Sequence, residues 1–104
     1  MRKFPAFLAV IALVAAIAAA QAFAATNVSW HVPTNKTVKI RKGGTVKWIW
    51  TDGQPHNVKG PGFSSGNAVS KKGKTYSHRF GKRGTFKIIC QVHPTTMKTI
   101  VKVG

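Results

Sequence analysis

Short runs of alternating hydrophobic and polar residues recur along the chain after residue 24, separated by Gly, Pro, Asn and Ser. Val46, Trp48 and Trp50, for example, share one face of such a run. A period of two is typical of half-buried β-strands, because successive side chains of a strand point to opposite faces of the sheet. Strands are therefore predicted at residues 26–32, 36–41, 45–51, 74–80, 85–90 and 98–103. Several short strands joined by Gly-rich turns predict an all-β sandwich or barrel.

The alternation is lost between residues 52 and 74, a stretch rich in Gly, Pro and Ser. A short strand near residues 67–70 is the one regular element predicted in it. Connections longer than about 12–15 residues are uncommon in compact domains and are usually functional or mobile. We therefore expect this loop to contribute to the functional site.

Residues 1–24 have a different composition from the rest of the chain. A basic start, Met1-Arg2-Lys3, precedes a run of almost entirely apolar residues and then Ala22-Phe23-Ala24. This layout predicts a helical secretory signal peptide, cleaved after Ala24, and one domain at residues 25–104 in the periplasm or outside the cell. The alternative is an uncleaved membrane anchor, since the apolar run approaches the length that spans a bilayer.

The charge of the chain is strongly one-sided, with 17 Lys and Arg residues against a single acid, Asp52. Arg2 and Lys3 belong to the predicted signal, which leaves 15 bases in the domain. The shortage of carboxylates excludes acid–base catalysis by paired acids and carboxylate-built Mg or Ca sites. The positive charge indicates an acidic protein, an anionic membrane surface or another polyanion as partner. No nucleic acid is expected, because recognisable nucleic-acid-binding motifs are missing.

A cluster of metal-ligand types lies near the C-terminus, where Cys90, His93 and Met97 fall within eight residues. Thiolate, imidazole and thioether form a soft donor set that suits copper better than Mg, Ca or Mn. His56, in the long loop, is the candidate second imidazole. Two His, one Cys and a weak axial Met make the trigonal site of electron-transfer copper. A zinc site and an inert buried thiol are the alternatives.

The other candidate side chains are expected to be structural. His78 shares a face of a predicted strand with aromatic residues, and His31 follows Trp30 in another. Trp48 and Trp50 are predicted to lie in the core rather than to relay electrons.

The chain resembles the cupredoxins, and among them the plastocyanin/amicyanin-like members, over residues 26–103. The matching segments are Gly44-Thr45-Val46-Lys47-Trp48, Asp52-Gly53-Gln54-Pro55-His56-Asn57-Val58, Gly62-Phe63-Ser64-Ser65-Gly66, Phe80 with Gly84-Thr85-Phe86, and Cys90-Gln91-Val92-His93-Pro94. The resemblance implies a Greek-key sandwich in which His56, Cys90, His93 and Met97 hold one copper ion. It also implies that Asn57 fixes the ligand loops by hydrogen bonding. Three residues separate His93 from Met97, whereas plastocyanins have four and amicyanins two.

The resemblance implies a monomeric blue (type 1) copper protein that carries single electrons between redox partners and is not an enzyme. The strong positive charge favours partners with an acidic docking surface. One alternative is a copper carrier or storage protein that uses the same four residues. The other is a module that binds a polyanion or a membrane, in which the Cys/His cluster is incidental.

Overall fold

The computed structural model describes residues 24–104, and every regular element in this part of the chain is a β-strand. The strands are β1 (Thr26–Trp30), β2 (Thr34–Ile40), β3 (Thr45–Trp50), β4 (Lys59–Gly60), β5 (Phe63–Ser64), β6 (Thr75–Arg79), β7 (Gly84–Ile89) and β8 (Met97–Val103). The predicted all-β class is confirmed. Within residues 24–104 there is no helix with the length and hydrophobicity needed to cross a membrane. The predicted signal helix falls, apart from Ala24, outside the described residues.

The smaller sheet has three strands in the order β1-β3-β6. Its central strand, β3, pairs in parallel with β1 and antiparallel with β6. Val46, Trp48 and Trp50 are all buried, as the alternation along this strand predicts. The strand therefore presents one apolar face to the core, and the two tryptophans belong to that core.

The larger sheet has five strands in the order β2-β8-β7-β4-β5. β8 lies between β2, with which it is parallel, and β7, with which it is antiparallel. Val101 of β8 is opposite Val38 on one side and Phe86 on the other. Because Val38 and Val101 are buried and Phe86 packs against the core, this row forms the inner face of the sheet.

Two tryptophan side chains tie distant parts of the chain together. Trp48 Nε1 on the smaller sheet donates a hydrogen bond to Thr99 Oγ1 on the larger sheet, at 3.1 Å. Trp30 Nε1 donates to the backbone carbonyl of Asn57 at 3.0 Å. These bonds satisfy polar groups that are costly to bury alone. Among the described residues, no buried side-chain nitrogen or oxygen lacks a partner.

The long loop contains more structure than its composition predicts. Residues 67–70 do not form a strand; only Val69 pairs, in an isolated bridge with His56. Instead, β4 and β5 form a two-residue hairpin at the edge of the larger sheet. Gly60 makes this hairpin possible, because a Cβ atom there would lie 2.3 Å from Cζ of Phe63. Strands of two residues are too short to show a period, so the alternation could not reveal them.

Candidate metal centre

The C-terminal loop links two neighbouring strands of the larger sheet. Cys90 follows the last residue of β7, and Met97 begins β8. The His93 carbonyl accepts hydrogen bonds from Thr96 N at 3.2 Å and Met97 N at 3.0 Å. Cys90 N donates to the Met97 carbonyl at 3.2 Å. These bonds fold the loop back on itself and hold Cys90, His93 and Met97 close together.

His56 reaches this loop from a segment 34 residues before Cys90. Its backbone exchanges two hydrogen bonds with Val69, His56 N to Val69 O at 3.1 Å and Val69 N to His56 O at 2.9 Å. Trp50 Nε1 donates to the same Val69 carbonyl at 3.0 Å. The loop is thereby anchored to β3, and the fully buried His56 side chain is held in one position.

The three strongest candidate ligands converge on one point. Cys90 Sγ lies 3.8 Å from His56 Nδ1 and 3.7 Å from His93 Nδ1. One ligand atom from each of the three residues lies within 4.8 Å of the others. The Cys90 and His56 side chains are buried, whereas His93 is partly exposed. Folding therefore brings together the distant imidazole and the Cys-x-x-His pair.

The spacing of these atoms fits a shared metal ion. Bonds of about 2.05 Å to nitrogen and about 2.3 Å to sulfur, the lengths known for zinc, separate the two atoms by about 3.8 Å at an angle of about 120°. A tetrahedral angle would bring them to about 3.6 Å with the same bonds. The observed 3.7 and 3.8 Å therefore fit a sulfur and two nitrogens that bind one ion.

Met97 stands beside this cluster as the first residue of β8. Its side chain is fully buried, and it is the only methionine in residues 24–104. Zinc sites use thiolate, imidazole or carboxylate ligands, whereas a weak axial thioether is typical of blue copper. The fourth residue of the set therefore favours copper over zinc.

Asn57 joins the two loops that carry the ligands. Its Nδ2 donates to the Gly66 carbonyl at 3.0 Å and to Gln91 Oε1 at 2.7 Å. Its Oδ1 accepts from Gln91 N at 2.8 Å. Because Asn57 follows His56 and Gln91 follows Cys90, these bonds fix the spacing of the two ligands, as the resemblance implies.

Asp52 is a functional residue that the sequence analysis did not assign to the site. Its Oδ1 lies 2.6 Å from His56 Nε2, the ring nitrogen that faces away from the cluster. The carboxylate also accepts hydrogen bonds from Val32 N at 3.1 Å and Gln54 N at 3.2 Å. A carboxylate on the outer nitrogen orients a ligating imidazole and leaves its inner nitrogen free for metal. The four-residue spacing to His56 and the absence of any other acid were the available signals.

Opposing effects act on the pKa of Asp52. Burial raises the pKa, but the hydrogen bonds from Val32 N, His56 and Gln54 N, together with the charge interaction with His56, outweigh it. The pKa of Asp52 therefore lies below its ordinary value, and the group is a carboxylate at neutral pH.

The remaining imidazoles do not join the cluster. The His78 ring stacks on the Phe63 ring, with centroids 3.7 Å apart and planes 9° from parallel. Burial lowers the pKa of His78 from its ordinary value. His31 lies between β1 and β2, where its backbone carbonyl accepts from Thr34 Oγ1. The metal group found among residues 24–104 contains neither of them.

Comparison with known proteins agrees with this geometry. A family model described as copper binding proteins, plastocyanin/azurin family, matches residues 32–104. The chain belongs to this family. Copper is accordingly the cofactor that this cupredoxin uses, and its donor set fits that metal.

Individual relatives are consistent with the family. Amicyanin-alpha of Methylorubrum extorquens is 38% identical over 65 residues, which cover 55% of this chain and 52% of that protein. The match thus spans about half the length of that curated relative. A Cu(I) structure of an amicyanin mutant has a TM-score of 0.59 at 29% identity, covering 83% of this chain and 89% of the other. A purple cupredoxin from Nitrosopumilus maritimus has a TM-score of 0.58 at 28% identity, covering 65% and 77%.

Proposed function

We propose that this cupredoxin is a blue copper protein that carries single electrons between redox partners, with His56, Cys90, His93 and Met97 as its ligands. The observation that carries the proposal is the convergence of Cys90 Sγ with two imidazole nitrogens at 3.7 and 3.8 Å. Copper bound there supplies a one-electron couple between Cu(I) and Cu(II). The similarity of this chain to amicyanin-alpha supports the same role.

The protein supplies a site that resists rearrangement. The His56 loop is held by its bridge to Val69, and the Cys90 loop by its bonds to Met97 and His93. Asn57 ties one loop to the other. Because the ligand positions are fixed by the backbone, little motion accompanies a change in metal charge, which favours fast electron transfer.

Electrons are proposed to pass at the partly exposed His93. Val92, beside it, is 45% exposed and is the one large hydrophobic side chain of the described residues that is exposed. Pro94, on the other side of His93, is exposed as well. A small apolar patch at the ligand suits brief contact with a partner, because it excludes water without strong specific bonds.

Substrate turnover is not part of the proposed function. The only side-chain carboxylate, Asp52, is already bonded to His56. We further propose that residues 1–24 direct export, that the domain acts as a monomer in the periplasm or outside the cell, and that its partners are acidic. The 15 bases of the domain against one acid support acidic partners, since positive charge accelerates encounters with negative surfaces.

The deciding experiment adds Cu(II) to the purified protein and records the visible spectrum beside that of Cys90→Ser. We expect an intense thiolate-to-copper band in the wild type and none in the variant, with slow loss of copper to a chelator. Rapid electron exchange with a soluble redox reagent should accompany the band. A protein that shows no band, or that gives up its copper within the mixing time, would instead be a carrier or a storage protein.

A further inference from the structure

Three lysines surround one apolar side chain on the outer face of the larger sheet. Ile89 of β7 is opposite Lys59 of β4 on one side and Lys98 of β8 on the other. Lys87 lies two residues earlier on β7, so its side chain emerges on the same face as Ile89. Lys59, Lys87 and Lys98, here called the lysine triangle, thus enclose a half-buried isoleucine.

A shallow groove lies between two lysines of the triangle, Lys59 and Lys87, and Pro94, the residue that follows His93. It is lined by Lys59, Gly60, Pro61, Lys87, Ile89 and Pro94, and its volume is about 490 Å³. Pro94 at one end follows His93, and Ile89 on the floor precedes Cys90. Two residues that line the groove are therefore immediate sequence neighbours of two candidate copper ligands.

The chain contains no acid that could neutralise this groove. Its only acidic side chain, Asp52, is engaged by His56 and by two backbone N–H groups. Lys59 and Lys87 are exposed, and Lys98 is half-buried. The three positive charges share one sheet face around Ile89 with no acidic side chain to pair with them, so an external anionic group would be attracted there.

The lining of this shallow groove favours one kind of anionic partner. Its floor is apolar, with Ile89, Pro61 and Pro94, and its rim is charged, which is the arrangement of protein–protein interfaces. The geometry points to the groove as the docking site for an acidic segment of a redox partner, whose carboxylates pair with the lysine triangle beside the copper ligands. This inference rests on the proposed electron-carrier function.

The same sheet face provides a matched control. Lys39 of β2 and Lys102 of β8 are direct cross-strand neighbours, and both are exposed. Along β8, Lys102 lies four residues beyond Lys98, toward the end of the sheet away from Cys90. Lys59→Glu/Lys87→Glu and Lys39→Glu/Lys102→Glu therefore change the net charge equally, and only the first alters the groove.

The test titrates the reduced, copper-loaded, ¹⁵N-labelled protein with a polyglutamate peptide and follows amide chemical shifts. We expect the largest shifts at the lysine triangle, Ile89 and residues 92–94. The Lys59→Glu/Lys87→Glu variant should weaken binding about tenfold, because two attractive contacts become repulsive, and Lys39→Glu/Lys102→Glu less than about threefold. A parallel arm uses vesicles containing phosphatidylglycerol.

Two outcomes would overturn the docking site. Equal weakening by the two double variants would mean that total charge, not the groove, governs binding. Binding to the vesicles but not to the peptide would assign the lysines to a membrane surface. Neither outcome touches the electron-carrier proposal, which the visible band and the redox exchange of the same samples test separately.

Discussion

Replacing Asp52 with Asn isolates the contribution of the one carboxylate that supports the metal centre. The substitution keeps the size and shape of the side chain but removes its negative charge. The 2.6 Å contact between Asp52 Oδ1 and His56 Nε2 becomes a neutral hydrogen bond. A ligating imidazole that loses a carboxylate partner is less basic and less firmly oriented. We therefore expect copper binding to weaken in Asp52→Asn.

The size of the effect follows from the exposure of the pair and the charge of the ion. Loss of such a partner typically weakens metal binding about 10- to 100-fold. Because the Asp52 side chain is 27% exposed, solvent screens part of its charge, and we expect a value near tenfold. The carboxylate stabilises Cu(II) more than Cu(I), so Cu(II) should lose more affinity. A tenfold difference between the two losses would raise the reduction potential by about 59 mV.

The assay measures the affinity for each copper ion by ligand competition and the potential by spectroelectrochemical titration. Gln54→Lys is the control, because it makes the same change of one positive charge two residues away while the Asp52 carboxylate remains. The control should shift the potential much less than Asp52→Asn does. Equal shifts in both variants, or a lower potential in Asp52→Asn, would refute the argument that the contact itself tunes the site.

Three further predictions concern the side-chain environments of Gly60, Asn57 and His78. Gly60→Ala should destabilise the protein by about 1–3 kcal/mol in denaturant unfolding, because the new Cβ would meet the Phe63 ring at 2.3 Å. The control Gly53→Ala should not, since a Cβ atom at Gly53 has no neighbouring atom within 4 Å. Asn57→Ala should cost about 3 kcal/mol and speed copper loss to a chelator, since three hydrogen bonds disappear; unchanged copper loss would contradict its role in the loops. The pKa of His78 is lowered in the folded protein, so the unfolded chain takes up a proton on this side chain more readily. The stability of the wild type should therefore fall as the pH drops below 6.5, the ordinary pKa of histidine. His78→Gln should show a smaller fall, and identical pH profiles would disprove this coupling.

The candidate ligands could be predicted because their chemistry restricts the residue types. Cys90 and His93 are three residues apart at a strand end, so local structure alone brings them together. His56 required the fold as well, yet its Pro-His-Asn context identified it. The strands that contain Val46 or Val101 could be predicted for a related reason, since burial of one face leaves a period of two in the sequence.

The features that could not be predicted depend on contacts between distant segments. The lysine triangle exists only because Ile89 is opposite both Lys59 and Lys98, and the pairing of β4 with β7 is not encoded in either segment alone. Asp52 lies four residues before His56 and is the only acidic side chain in the sequence, but the contact of its carboxylate with His56 Nε2 depends on the conformation of the loop between them. Register and loop conformation decide both cases.

Because the domain is strongly charged, charge alone cannot determine which face a partner binds. With 15 bases against a single acid, the domain attracts acidic proteins over much of its surface, so attraction alone cannot select the face nearest the copper. The groove at Ile89 combines two lysines with an apolar floor beside Pro94, the residue that follows His93. Long-range charge would then set how often partners arrive, and the groove would set whether they arrive in a position from which His93 can pass an electron. Raising the salt concentration should therefore slow the encounter with every variant, while only changes in the groove should alter the fraction of encounters that are productive.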